Sequence, residues 1–109
     1  MREWTRVAST SDLKPGRMIQ VTVDDEPVCL ARTADAEFLA TSDICSHEYV
    51  LLHDGFLERD EVECPEHGSM FSMRTGEVMN LPATQPIGVY DVKVEGEDVY
   101  LKAREEANA

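Results

Sequence analysis

The sequence predicts an all-β fold, a small antiparallel sandwich or barrel, and three observations carry that expectation. Short apolar stretches recur between turn clusters about every eight to twelve residues, the spacing of a sandwich or small barrel. Alternation is cleanest near the end, where Tyr90, Val92 and Val94 fall on one face and Asp91, Lys93 and Glu95 on the other. No long window keeps apolar residues at i, i+3, i+4 and i+7, so no long helix is expected.

Taken in order, strands are predicted at Trp4–Val7, Met18–Val23, Val28–Arg32 and Glu37–Ser42. Short ones follow at Phe56–Glu58, Glu61–Glu63, Met70–Met73 and Glu77–Met79, and the chain closes with a hairpin of Val89–Val94 and Val99–Leu101. The breaks between them have turn chemistry: Lys14-Pro15-Gly16, Asp24-Asp25-Glu26-Pro27, Arg59-Asp60, Arg74-Thr75-Gly76 and Glu95-Gly96-Glu97-Asp98. Ser11-Asp12-Leu13 is read as one short turn, and the tail from Ala103 to Ala109, without an apolar face, as frayed. One domain over residues 1–109 is expected, with residues 44–82 forming a small lobe inserted between core strands.

Composition narrows the function. The 109 residues carry 10 Lys+Arg against 22 Asp+Glu, a formal charge of −12, so no basic patch is offered to nucleic acid. Such acidity suits solubility, and it also suits steering toward a basic partner. No apolar run is long enough to span a bilayer, and the first residues, Met1-Arg2-Glu3-Trp4, have no signal-peptide character. A cytoplasmic protein is therefore expected. Three cysteines are an odd count for a disulfide framework and point to thiols or metal ligation. Cys29, within Pro27-Val28-Cys29-Leu30-Ala31, reads as a core residue.

The other two cysteines lie in segments of similar layout. Cys45-Ser46-His47 and Cys64-Pro65-Glu66-His67 are separated by sixteen residues, and each follows a predicted strand. Each supplies one thiolate and one imidazole, ligands that iron–sulfur clusters and zinc both accept. The Leu52-His53-Asp54-Gly55 turn and the Phe56–Glu63 hairpin let the chain fold back so that the two loops meet. Zinc fingers pair two cysteines on a hairpin with two histidines on a helix. The order here is Cys-His-Cys-His with no helix available, and a Rieske centre fits better, two cysteines on one iron and two histidines on the other. His53 is read as capping a solvated turn, and Met70, Met73 and Met79 as core filling.

With these residues in view, the chain resembles the Rieske ferredoxins of bacterial aromatic-ring-hydroxylating dioxygenase systems, those acting on biphenyl, benzene, toluene or carbazole. The resemblance runs from Trp4 to Leu101 and includes Asp54-Gly55-Phe56-Leu57, Asp60 to Pro65, Arg74-Thr75-Gly76 and Leu81 to Ile87. It implies a Rieske iron–sulfur fold and one [2Fe–2S] cluster. It implies that Cys45 and Cys64 bind the buried iron, and His47 and His67 the outer iron near the surface. Two departures separate the chain from the high-potential respiratory Rieske proteins. Val50 and Glu66 stand where those proteins carry a disulfide, and of the serine and tyrosine hydroxyls that bond the sulfurs there, Ser69 keeps the first while Phe71 lacks the second.

The resemblance further implies a monomeric electron carrier, itself no enzyme, that takes single electrons from a ferredoxin reductase to a terminal oxygenase. With four ligands used and only His53 left over, the chain cannot also build the two-histidine, one-carboxylate iron site of the oxygenase. It has no glycine-rich dinucleotide fingerprint for a reductase role. The small Rieske-type subunit of a nitrite reductase and a non-redox zinc module are the alternatives.

Overall fold

The computed structural model describes residues 3–46, 49–66, 68–81 and 85–104. Ten strands form two antiparallel sheets. The larger has six strands: β1 (Thr5–Ser9), β2 (Arg17–Val23), β3 (Glu26–Arg32), β4 (Phe38–Ser42), β9 (Val89–Glu95) and β10 (Asp98–Ala103), in the order β1-β10-β9-β4-β3-β2. Its outer strands β1 and β2 also touch, so the sheet curls nearly into a barrel. The smaller sheet is a meander of β5 (Phe56–Glu58), β6 (Glu61–Glu63), β7 (Met70–Ser72) and β8 (Val78–Asn80), lying in sequence between β4 and β9. The all-β expectation holds, and every predicted strand is present with ends shifted by a residue or two.

The shifts have local causes. Asp24 and Asp25 both take positive φ, 52° and 68°, so the β2–β3 connection is a two-residue turn and β3 begins at Glu26. Such a turn matches the right-handed twist of the strands. Pro27 thereby falls inside β3, at its start, where a missing N–H is tolerated. Between β9 and β10 the two-residue reversal has positive φ at Gly96 alone, 62°. The short turn near residue 11 is a single 3-10 turn, Thr10–Asp12, whose Asp12 carboxylate accepts the Ser9 N–H at 2.9 Å. The turn predicted at Leu52-His53-Asp54-Gly55 is a second 3-10 turn, Leu52–Asp54, with Gly55 at its end.

Strands β3 and β4 are buried on both faces, because their alternating side chains enter two different cores. Val28, Leu30, Phe38 and Ala40 join Ala8, Leu13, Val23, Val99 and Leu101 inside the curled sheet. Cys29, Ala31 and Leu39 face the other way, into a cluster with Cys45, Leu52, Val62, Cys64, Phe71, Met73 and Ile87. That second core fastens the meander to the barrel. Met73 fills it as expected, whereas Met79 is 50% exposed on the end strand of the meander and fills nothing. Tyr90 and Val92 pack on the barrel core as the alternation predicts, but Val94, beside the turn, is exposed.

Polar ties brace the far end of the meander. Arg74 clamps Glu37 through two hydrogen bonds of 2.6 and 2.8 Å and reaches Asp60 at 2.8 Å. These bonds hold the Glu37 carboxyl below the usual carboxylate range. Arg104 adds bonds to Asp91 and to the Arg74 carbonyl, at 2.8 and 2.9 Å. All are solvent-exposed, so they orient more than they stabilise. Backbone contact at Gly76 is tighter. Its φ is +82°, and a Cβ there would stand 2.1 Å from the Ile87 carbonyl oxygen. Gly76→Ala is expected to cost about 3 kcal/mol, from left-handed strain plus overpacking. Gly96→Ala, at positive φ with open space around it, is expected to cost about 1 kcal/mol. Denaturant melts of the two variants check the difference.

Candidate metal centre

The two cysteine loops leave their sheets in the same manner. β4 ends at Ser42, and an isolated bridge between Ile44 and Leu51 closes the neck of the first loop. The Cys45 N–H then donates to the Val50 carbonyl at 3.0 Å. In the second loop β6 and β7 end on the pair Glu63–Met70, and the Cys64 N–H donates to the Ser69 carbonyl at 2.7 Å. In each case the cysteine is the first residue beyond the neck, and its N–H is held by the carbonyl five residues on. The described tip residues, Ser46 and Tyr49 in the first loop and Pro65, Glu66 and Gly68 in the second, lie beyond these fixed bases.

Both cysteines are nearly inaccessible, 3% for Cys45 and 2% for Cys64, and both belong to the second core with Val62, Phe71 and Ile87. The structure thus brings together the two cysteines that the spacing singled out. His47 and His67, the other two members of the expected set, lie outside the described residues, as do Glu48 and the Pro82–Thr84 stretch. Of the tip residues that are described, Tyr49 is 85% exposed, and Pro65 and Glu66 are also exposed. The Ser46 hydroxyl donates to the Gln85 carbonyl at 2.5 Å, linking the first tip to a third loop. The donor set suits an iron–sulfur group: two buried thiols at the base, an apolar wall behind them, and loops that open toward solvent.

Glycines permit the close approach of these segments. Gly68 takes φ +76° in the second tip. A Cβ on Gly55 would stand 1.9 Å from the Glu63 carbonyl oxygen and 3.1 Å from Pro65, so the return from the first loop passes hard against the base of the second. Ser69 and Phe71, five and seven residues after Cys64, are both fully buried.

The matching family model is the Rieske [2Fe-2S] domain, over residues 3–99. The chain belongs to the Rieske [2Fe–2S] family. Among relatives, it is 42% identical over 97 residues to the biphenyl 2,3-dioxygenase ferredoxin component of Rhodococcus jostii (strain RHA1), covering 89% of this chain and 90% of that one. Among solved structures, the ferredoxin of carbazole 1,9a-dioxygenase from Nocardioides aromaticivorans IC177 superposes with a TM-score of 0.85 at 36% identity, covering 90% of this chain and 95% of that one. A complex of reduced oxygenase and oxidized ferredoxin in carbazole 1,9a-dioxygenase matches with a TM-score of 0.86 at 35% identity, over 94% and 97% of the two chains.

Two residues near the site depart from the sequence expectation or escaped it. His53 does not simply cap a solvated turn: its side chain is 25% exposed and its Nδ1 lies 2.6 Å from Asp43. Asp43, fully buried, had no signal in the sequence beyond its place just ahead of Cys45. Cys29 behaves as predicted, a core thiol 3.6 Å from the Met18 sulfur. Burial, with a smaller contribution from the Asp43 carboxylate, pushes its pKa up, which keeps it a neutral thiol. Native protein is therefore expected to show no alkylation at Cys29 by iodoacetamide up to pH 9. Mass mapping before and after unfolding checks this.

Proposed function

We propose that this chain is a one-electron carrier that delivers electrons from a reductase to the Rieske centre of a terminal ring-hydroxylating oxygenase in aromatic-compound breakdown. The observation that carries the reading is the pair of equivalent loops, each presenting a buried cysteine at its base within a Rieske domain. Relatives that are ferredoxin components of dioxygenase systems support it, as does the similar ferredoxin seen bound to its oxygenase. The nitrite reductase small subunit is the less supported alternative.

Residues 44–82 form the cluster lobe of one Rieske domain spanning 1–109. Cys45, His47, Cys64 and His67 would hold one [2Fe–2S] cluster, the cysteines on one iron and the histidines on the other. When bound, this cluster supplies reversible one-electron chemistry. The protein's part is to anchor both thiolates in the second core and to exclude water from them. No described helix is long and apolar enough to cross a membrane. A monomer acting in the cytoplasm, without nucleic acid, fits the acidic sequence. Metal linkage makes the lobe depend on its ligands. Cys64→Ser protein is expected to lose the visible absorbance and the rhombic EPR signal of the reduced cluster. Wild-type signal in that variant would overturn the ligand assignment.

Docking follows from charge. Between Ile44 and Pro82 the only cations in the sequence are Arg59 and Arg74, and both sit in turns at the end of the meander away from the cysteine loops. The tip end offers Glu66, Tyr49 and Leu81 to solvent instead. A basic, partly apolar partner face suits that tip, and long-range attraction orients a small, brief encounter. The rate of electron transfer to the oxygenase is expected to fall on the order of tenfold as added salt shortens the Debye length. Glu66→Gln is expected to flatten that dependence, while Glu97→Gln, in the exposed β9–β10 turn, leaves it unchanged. Stopped-flow rates across a salt series test this, and equal slopes for the two variants would place docking elsewhere.

A further inference from the structure

The two loops are alike at their bases but not beneath them. Under the second loop runs a ladder, Glu63 opposite Met70, Val62 opposite Phe71 and Glu61 opposite Ser72. Under the first loop the described residues form a single bridge, Ile44–Leu51, because the returning chain turns at once into the 3-10 turn Leu52–Asp54. Two residues before Cys64 stands Val62, a ladder residue. Two residues before Cys45 stands Asp43, among the described residues the one fully buried carboxylate.

Asp43 gathers five hydrogen-bonding contacts. Its Oδ1 accepts the His53 N–H at 2.7 Å. Its Oδ2 accepts the Gln20 amide at 2.8 Å and lies 2.6 Å from His53 Nδ1, whose N–H donates to it. Its own N–H donates to the Pro27 carbonyl at 3.1 Å, and its carbonyl accepts the Leu52 N–H at 2.7 Å. A buried carboxylate is costly unless its oxygens are satisfied, and here both are. The contacts come from β2, from the start of β3 and from the returning 3-10 turn, so they fix the point where β4 becomes the first loop.

We propose that Asp43, held by Gln20 and His53, is the positioning residue of the first cluster loop, replacing the ladder that the second loop has. It sets the direction in which Cys45 and Ser46 leave the barrel, and so the presentation of the Cys45 thiol. This inference rests on the reading of Cys45 as a cluster ligand. A merely structural Asp43 would affect folding stability and leave the bound cluster's signature alone.

The test compares holoprotein of wild type, Asp43→Asn, Gln20→Ala, His53→Ala and Arg74→Gln. The last variant removes the exposed clamp at the far end of the lobe. Asp43→Asn is expected to release iron to a chelator about tenfold faster, in the range seen for outer-shell partners of metal ligands, and to shift the g values of the reduced cluster. Gln20→Ala and His53→Ala each remove part of the same anchor and are expected to move both readouts in the same direction by less. Arg74→Gln is expected to leave both readouts unchanged, with at most a small fall in melting temperature. If Asp43→Asn does not fold, the two partner variants decide. Wild-type g values and release rates in every anchor variant that folds would overturn the proposal. Wild-type protein with no Rieske signal would instead overturn the cluster reading beneath it.

Discussion

The structure depends on one constraint, that β3 and β4 must be buried on both faces at once. A strand in a free-standing antiparallel barrel has one apolar face and one wet one. Here Leu30 and Ala40 close the barrel while Ala31 and Leu39, their neighbours in sequence, bury the meander. The meander therefore cannot drift from the barrel without exposing a core, and the end of β4 is held against it. Since the first cysteine loop grows from the end of β4 and the second from within the meander, this shared wall is what brings Cys45 and Cys64 into one cluster.

Around that wall the polar contacts divide by depth. At the far end of the lobe the Arg74 clamp lies in solvent, with both partners about half exposed, where screening leaves an ion pair little net stabilisation. At the near end Asp43 is fully buried, and its contacts act in a medium where hydrogen bonds are stronger and an unmet one costs more. The exposed clamp is suited to guiding the lobe into register, and the buried anchor to holding a geometry. The buried anchor thus lies at the end of the lobe from which the cysteine loops leave the scaffold. The same separation keeps the cations of the lobe away from the cysteine loops, leaving the tip acidic and partly apolar.

Much of the fold was legible because its signals are local. The alternation of Tyr90 to Glu95, the Asp24-Asp25 and Gly96-Glu97 turns and the brief apolar runs each act within a few residues, and all ten strands lie where those signals put them. Strand ends were less legible, as with Pro27, which reads as a turn residue and instead opens a strand. Met79 reads as core by its chemistry and is exposed because β8 is the last strand of its sheet. The family pattern was legible for a different reason: few arrangements of residues call for a thiol and an imidazole two or three positions apart, twice.

What the sequence determined by itself was the β character, the acidic balance, the family pattern of Cys45, His47, Cys64 and His67, and the core character of Cys29. What only the tertiary structure decided was how those parts are held. The second face of β3 and β4, the near collision that requires Gly55, and the Asp43–His53–Gln20 anchor all join residues distant along the chain. Short-range patterns record which way a side chain faces relative to its own strand. They carry no record of a second layer arriving on the opposite face, because burial there is set by packing between segments rather than by propensity within one.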